Sequence, residues 1–339
     1  MEQKPYIGGQ AVIEGVMMRA PCGLSVAVRR PDGSLALQEQ PFQSRFDTGI
    51  WKKPFFRGVA TLVESLRIGY RALSFSAEQQ MTEEEKEEMA GSGKGAMVVA
   101  TLFALGLFVA LPQLLASGTG KLLGIDFGLT DADFQFVIGG FKILVVFLYL
   151  TAISLMPDVR RTFQYHGAEH KTIHAWEAEL PLTVANVRAQ STLHPRCGTT
   201  FLIVVVMVSI ILGAIFAPLL LPGAEGALGW VGLLLLRIAL LPVIAALSFE
   251  LQRFTAKYCT RGPLRVFLWP GFLFQKITTR EPDDEQIEVA ITAMQAAAWR
   301  ETDGKDAEHS ADPLLFPNFE GFVAALPALR PAARHEAAS

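Results

Sequence analysis

Charge is what this chain has least of. Only 19% of its 339 residues are Asp, Glu, Lys or Arg, against 51% hydrophobic residues and a mean hydropathy of +0.32. Soluble globular domains carry about 25% charged residues, so the composition excludes an ordinary soluble protein. The net charge of −3 is close to balance, and bulk charge points to neither nucleic acid nor an acidic partner. Cysteine is also scarce. Cys22, Cys197 and Cys259 are far apart and odd in number, with no CxxC pair, which argues against a disulfide framework and for thiols kept reduced on the cytoplasmic side. The first ten residues are polar and glycine-rich with no apolar core behind a basic start, so no cleavable signal is expected.

What the chain does have is long apolar runs. Residues 96–117, 136–156, 200–221 and 228–247 each reach the ~20 residues needed to cross a hydrocarbon core, and each is nearly free of charge. They predict four membrane spans, the first kinked at Pro112. The loops orient them. Lys121 is the only basic residue between the first two runs, and none lies between the last two. The middle connection holds Arg160, Arg161, Lys171, Arg188 and Arg196, and Arg253, Lys257, Arg261 and Arg265 follow the last run. The positive-inside rule then puts both termini and the middle connection in the cytoplasm.

The polar parts read differently. Residues 6–48 alternate short apolar runs with glycines, and Pro31-Asp32-Gly33 between two alternating segments predicts a β-hairpin. Glu14 and Arg19 either face a site or are surface charges of that sheet. Residues 55–80 predict a basic amphipathic helix, lying at the membrane surface or packed on the sheet or on other helices. An acidic run, 83–88, and a glycine-rich joint, 91–95, follow. After the last run, residues 264–276 are apolar but too short to span, and residues 278–299 predict a well-capped amphipathic helix. From Glu301 onward Ala, Pro and charge dominate without periodicity, which predicts disorder. The chain so divides into a β-rich cytoplasmic portion (1–52), an amphipathic helix and linker (53–95), a four-span membrane domain (96–300) and a tail (301–339).

The middle connection, residues 157–199, carries the chemistry. A helix from Val159 to about Glu179, continuing the second span, presents His166, His170 and His174. At about 100° per residue they fall within an arc of roughly 80°, with Glu177 inside it. A turn at Pro181 and a short helix capped by Thr183 lead to His194-Pro195-Arg196-Cys197, which returns to the same membrane level. Four of the chain's six histidines thus lie between 166 and 194. His166-Gly167-Ala168-Glu169-His170 spells H-x-x-E-H, the inverted zincin pattern: two histidines for zinc and a glutamate beside them as general base. The candidate ligands of a divalent metal, zinc first, are His166, His170, His174, His194 and Cys197, with Glu177 and Glu250 as further possibilities and Glu169 as the catalytic base. The other reading is an interfacial, partly protonated histidine face or a set of buried hydrogen-bonded rings. Arg160 and Arg196 are candidate anion contacts or membrane anchors, and Arg237 is an ionisable residue inside the fourth run.

Four blocks carry a resemblance: residues 8–19 (Gly-Gly-Gln-Ala-Val-Ile-Glu-Gly-Val-Met-Met-Arg), residues 165–171 (Tyr-His-Gly-Ala-Glu-His-Lys), residues 194–199 (His-Pro-Arg-Cys-Gly-Thr) and residues 278–282 (Thr-Thr-Arg-Glu-Pro). Through them the chain resembles the YqhQ-like family of bacterial membrane proteins from Pro5 to about Trp299. That resemblance implies a predicted metal-dependent enzyme, a label that rests on the same histidines. The expectation is therefore an α-helical polytopic membrane protein with a small N-terminal β-rich portion, in contact with a lipid bilayer. Its function is expected to be zinc-type hydrolysis of a membrane-associated substrate. A scaffold or transporter with a structural or cargo metal is the alternative.

Overall fold

The computed structural model describes residues 5–82, 84–86, 93–125, 127–259, 262–302, 304, 309–310 and 312–329. Residues 83 and 87–88 of the acidic run and 91–92 of the glycine-rich joint lie outside them. Strands β1 (Gly8–Val12), β2 (Gly15–Arg19), β3 (Gly23–Arg29) and β4 (Leu35–Pro41) form an antiparallel meander. The β3–β4 hairpin turns at Pro31-Asp32-Gly33 as expected. Gly33 takes φ 84°, and the Asp32 carboxylate accepts from Ser34 N at 2.9 Å.

Both faces of this sheet are covered, so β2 and β3 are almost continuously buried instead of alternating. On one face Val12, Met17, Val26 and Ala36 pack against Ile68, Ala72 and Phe75 of α1 (Phe56–Glu78). On the other, Val16, Met18, Ala27, Leu35 and Leu37 meet Tyr165 and Ala168 of α4 (Pro157–Glu177) and Ile287, Ala290 and Met294 of α10 (Asp284–Glu301). Each such aliphatic side chain contributes about 1.5–3 kcal/mol when fully buried. One core therefore draws on three stretches far apart in sequence. Helix α10 opens on the expected cap: Asp283 and Gln286 form a reciprocal capping box.

The tail departs from expectation. Strand β5 (Leu314–Phe316) adds to the free edge of β4, with Leu35 opposite Phe316, and α11 (Phe319–Leu329) follows. Phe316 and Phe322 stack edge-on at 5.4 Å, and Phe322 is wholly buried. Those aromatics supply the apolar area that orders the segment, and its Ala- and Pro-rich surroundings masked them. Residues 303, 305–308, 311 and 330–339 lie outside the described part.

Among the described residues three helices are long and apolar enough to cross a membrane: α2 (Val98–Leu123), α3 (Ala132–Ile153) and α6 (Gly198–Leu220). Helices α7 (Gly226–Ala239) and α8 (Leu241–Tyr258) meet at 45° and make a fourth if the bent pair is one span. Pro242, in the first turn of α8, accounts for the bend. Around the bundle the exposed side chains are apolar, among them Phe103, Phe136, Leu148, Ile215 and Leu228, as a lipid environment requires. Helix α2 carries an i→i+5 turn at Gly106–Ala110, just before Pro112.

Helix α1 packs on the sheet and, at its start, on α8: Arg57 pairs with Glu250, and Gly58 lies against Ala246. Its far side leaves Val63, Leu66 and Tyr70 exposed. Helix α4 does not continue α3. The chain breaks at residues 154–156 because Met156, preceding Pro157, is held extended with ψ 129°. Helix α9 (Trp269–Thr278) accounts for the short apolar stretch and lies on α6, with Gly271 against Thr200.

Candidate metal centre

Helix α4 sets the histidines, and a passing extended segment locks them. Residues 279–283 cross α4 so closely that a Cβ on Gly167 would stand 2.0 Å from the Arg280 carbonyl oxygen. Arg280 N donates to Phe163 O at 2.9 Å, fixing the crossing. This places the Thr278 carbonyl 2.8 Å from His166 Nδ1, so that ring donates there and turns Nε2 the other way. His170 Nδ1 does the same to the Thr192 carbonyl.

The returning loop is held by side chains from α9 and α8. Gln275 accepts from His194 N at 2.9 Å and donates to His194 O at 2.7 Å and to Thr200 Oγ1 at 2.8 Å. Gln252 donates to Cys197 O at 3.1 Å. Lys171, buried on α4, donates to the carbonyls of Arg188 and Gln190, both at 2.8 Å, and pairs with Glu281. The loop and helix α5 (Val184–Arg188), capped by Thr183 as expected, are thereby drawn against α4.

Two groups of donors result. His166, His170 and Cys197 bring their donor atoms within 4.8 Å of one another, with His166 Nε2 3.1 Å from Cys197 Sγ. His170 Nε2 is buried with no hydrogen-bond partner other than the neighbouring Cys197 thiol. A buried nitrogen left unpaired is costly, and a metal ion would satisfy it. His174, Glu177 and His194 form the second group, also within 4.8 Å, and His194 Nε2 lacks a hydrogen-bond partner, 3.7 Å from Glu177 Oε2. The rings run on continuously, His170 to His194 at 5.6 Å and His194 to His174 at 4.8 Å. His174 Nε2 bonds the Leu193 carbonyl, at 2.9 Å.

Burial sets the charge states. It lowers His170 and His174 and takes His194 down to about 4, so these imidazoles are neutral at neutral pH, as ligation requires. Burial alone would raise the Cys197 thiol, but His170 and Thr199 outweigh it and the thiol is lowered. Burial pushes Glu169 up to about 8, opposed by His166 and reinforced by Cys197. A Cβ on Gly9 would lie 2.7 Å from Glu169 Cγ, so β1 runs directly over this side chain.

The expected site residues do not all converge. His166, His170 and Cys197 form one group and His174 and His194 the other. Glu250 is engaged by Arg57 instead. Arg196 pairs with Glu177 and covers the Tyr6 ring at 4.6 Å, and Arg160 is exposed on the first turn of α4. Glu14 and Arg19 act as tethers, Glu14 to Arg161 and Tyr165 of α4 and Arg19 to Glu64 of α1. Sequence reasoning missed Gln275, Gln252, Lys171 and Thr278. The Thr-Thr-Arg-Glu-Pro block was visible, but not that it crosses Gly167.

A family model described as "Protein of unknown function (DUF1385)" matches residues 53–299, a range that holds every donor above. The chain belongs to this family. It is 36% identical over 304 residues to "Uncharacterized protein YqhQ" of Bacillus subtilis (strain 168), covering 86% of this chain and 91% of that protein. No solved structure matches it. The expected YqhQ-like membership therefore holds.

Proposed function

We propose that this member of the DUF1385 family is a multi-pass protein of the bacterial inner membrane with a divalent metal site at the cytoplasmic boundary. The observation that carries the reading is the convergence of His166 Nε2, His170 Nε2 and Cys197 Sγ, with both histidines' Nδ1 atoms tied to backbone carbonyls. Two imidazoles and a thiolate, oriented from behind, suit zinc. Bound there, zinc supplies Lewis acidity toward a carbonyl or phosphoryl oxygen. Glu169, with a carboxyl at about 8, exchanges a proton near neutral pH and serves as general base and acid in hydrolysis of a membrane-associated peptide or lipid-linked substrate.

A structural metal site is the second reading, supported by the near-complete burial of His170 and Cys197, because structural zinc sites are closed. One comparison separates the two. Protein purified without a histidine tag is analysed for bound metal as wild type, H170A and E169Q. The enzyme reading expects stoichiometric metal in wild type and E169Q, metal loss in H170A, and failure of E169Q to complement a deletion. Full complementation by E169Q leaves the structural reading, and metal-free wild type ends both.

A further inference from the structure

Away from the histidines, the helical bundle encloses a cavity of about 320 Å³. Its walls are almost wholly apolar, with Phe108, Val146, Val206 and Leu240 among them, and two cationic side chains, Lys142 of α3 and Arg237 of α7, also line it, their charged ends set just behind that surface. Both are buried, at 9% and 6% exposure. Lys142 Nζ donates to Ser209 Oγ at 2.9 Å, and an Arg237 amino group donates to the Gln135 side chain. Arg237 Nε is buried with no partner at all. Among the described residues no carboxylate pairs with either cation.

Two basic side chains without an acidic partner inside an apolar bundle are expensive, and ionisable residues at such depth ordinarily pair or mark a ligand path. Tyr149, Leu202 and Leu241 line the cavity and are also exposed on the bundle's surface, so it communicates with the bundle's surroundings. Phe108 and Val109, in the i→i+5 turn of α2, form another wall, and such turns recur at functional sites. The volume falls in the range of small-ligand pockets, which pair apolar walls with a few placed polar groups.

We propose that this cavity binds an anionic amphiphile, a single acyl chain ending in a carboxylate or phosphate. The chain occupies the apolar walls and the headgroup lies between Lys142 and Arg237. The site is independent of the metal reading.

The test uses the full-length protein in phosphatidylcholine nanodiscs, titrated with decanoate, decyl phosphate, decanol, acetate and inorganic phosphate. Decanoate or decyl phosphate is expected to bind at least ten-fold tighter than decanol, with acetate and inorganic phosphate weaker still. K142M and R237M are each expected to lose ten-fold or more for the anionic probe while decanol is unchanged; apolar replacements of buried ions are commonly tolerated. Decanol binding as tightly as decanoate, headgroups binding without a chain, or unaltered variants overturn the proposal. Should a variant fail to fold, a diazirine-bearing decanoate on wild type decides. Labels at Phe108, Leu202 or Leu240 support the site, and labels scattered over the bundle's outer face overturn it.

Discussion

Gly167 occupies a position no other residue can take, because its missing side chain lets the Arg280 carbonyl sit against α4. G167A should force residues 279–283 away and release His166 from Thr278. Overpacking of this kind costs about 1–3 kcal/mol, and here the obstacle is rigid backbone, so the upper end is expected in a thermal melt. Gln275 works the other way, through bonds rather than space. Q275A leaves buried groups of His194 and Thr200 without partners, at about 1–3 kcal/mol, and loosens the loop carrying Cys197. If the metal reading holds, metal affinity should fall by about 10–100-fold, measured by competition with a chromogenic chelator. An unchanged affinity would detach Gln275 from the site. Gly9 resembles Gly167 in its closeness, but the atoms it faces belong to the Glu169 side chain and can move. G9A should therefore displace Glu169 without unfolding the sheet.

Among the elements, the last strand and helix matter more than their composition implied. Strand β5 covers the edge of β4, which would otherwise expose unpaired backbone groups. F322A removes a wholly buried ring and should cost about 3–5 kcal/mol, with β4 amides exchanging faster by hydrogen–deuterium exchange. Protection of β4 equal to wild type would show that α11 does not support the sheet. Helix α10 read as an amphipathic helix, yet most of its faces are covered, because it lies between the sheet and α4. Residues such as Ala290, Ala293 and Ala297 are small enough for both neighbours to approach, which an amphipathic pattern cannot reveal.

For the whole molecule, topology and metal are the two global tests. If the charge bias orients the chain, cysteines introduced into the loop between α6 and α7 should label with a membrane-impermeant maleimide from outside intact cells, while cysteines in residues 189–193 should not. The opposite pattern inverts the proposed orientation. Chelation should lower the melting temperature of wild type and leave an H166A/H170A variant unmoved, because ligand binding to the folded state adds stability.

The apolar runs, the Pro-Asp-Gly hairpin, the Thr183 cap and the histidine stripe were legible in the sequence, because each rests on local periodicity or on one residue's own backbone preference. Tertiary structure decided what those elements meet. It sorted the candidate ligands into two groups, engaged Arg196 with Glu177 and Glu250 with Arg57, and ordered a tail whose aromatics find a sheet edge. It also put Lys142, an unremarked lysine in an apolar run, beside the same cavity as Arg237. Such pairings join residues tens to hundreds of positions apart, and no local pattern encodes which side chain lies across the gap.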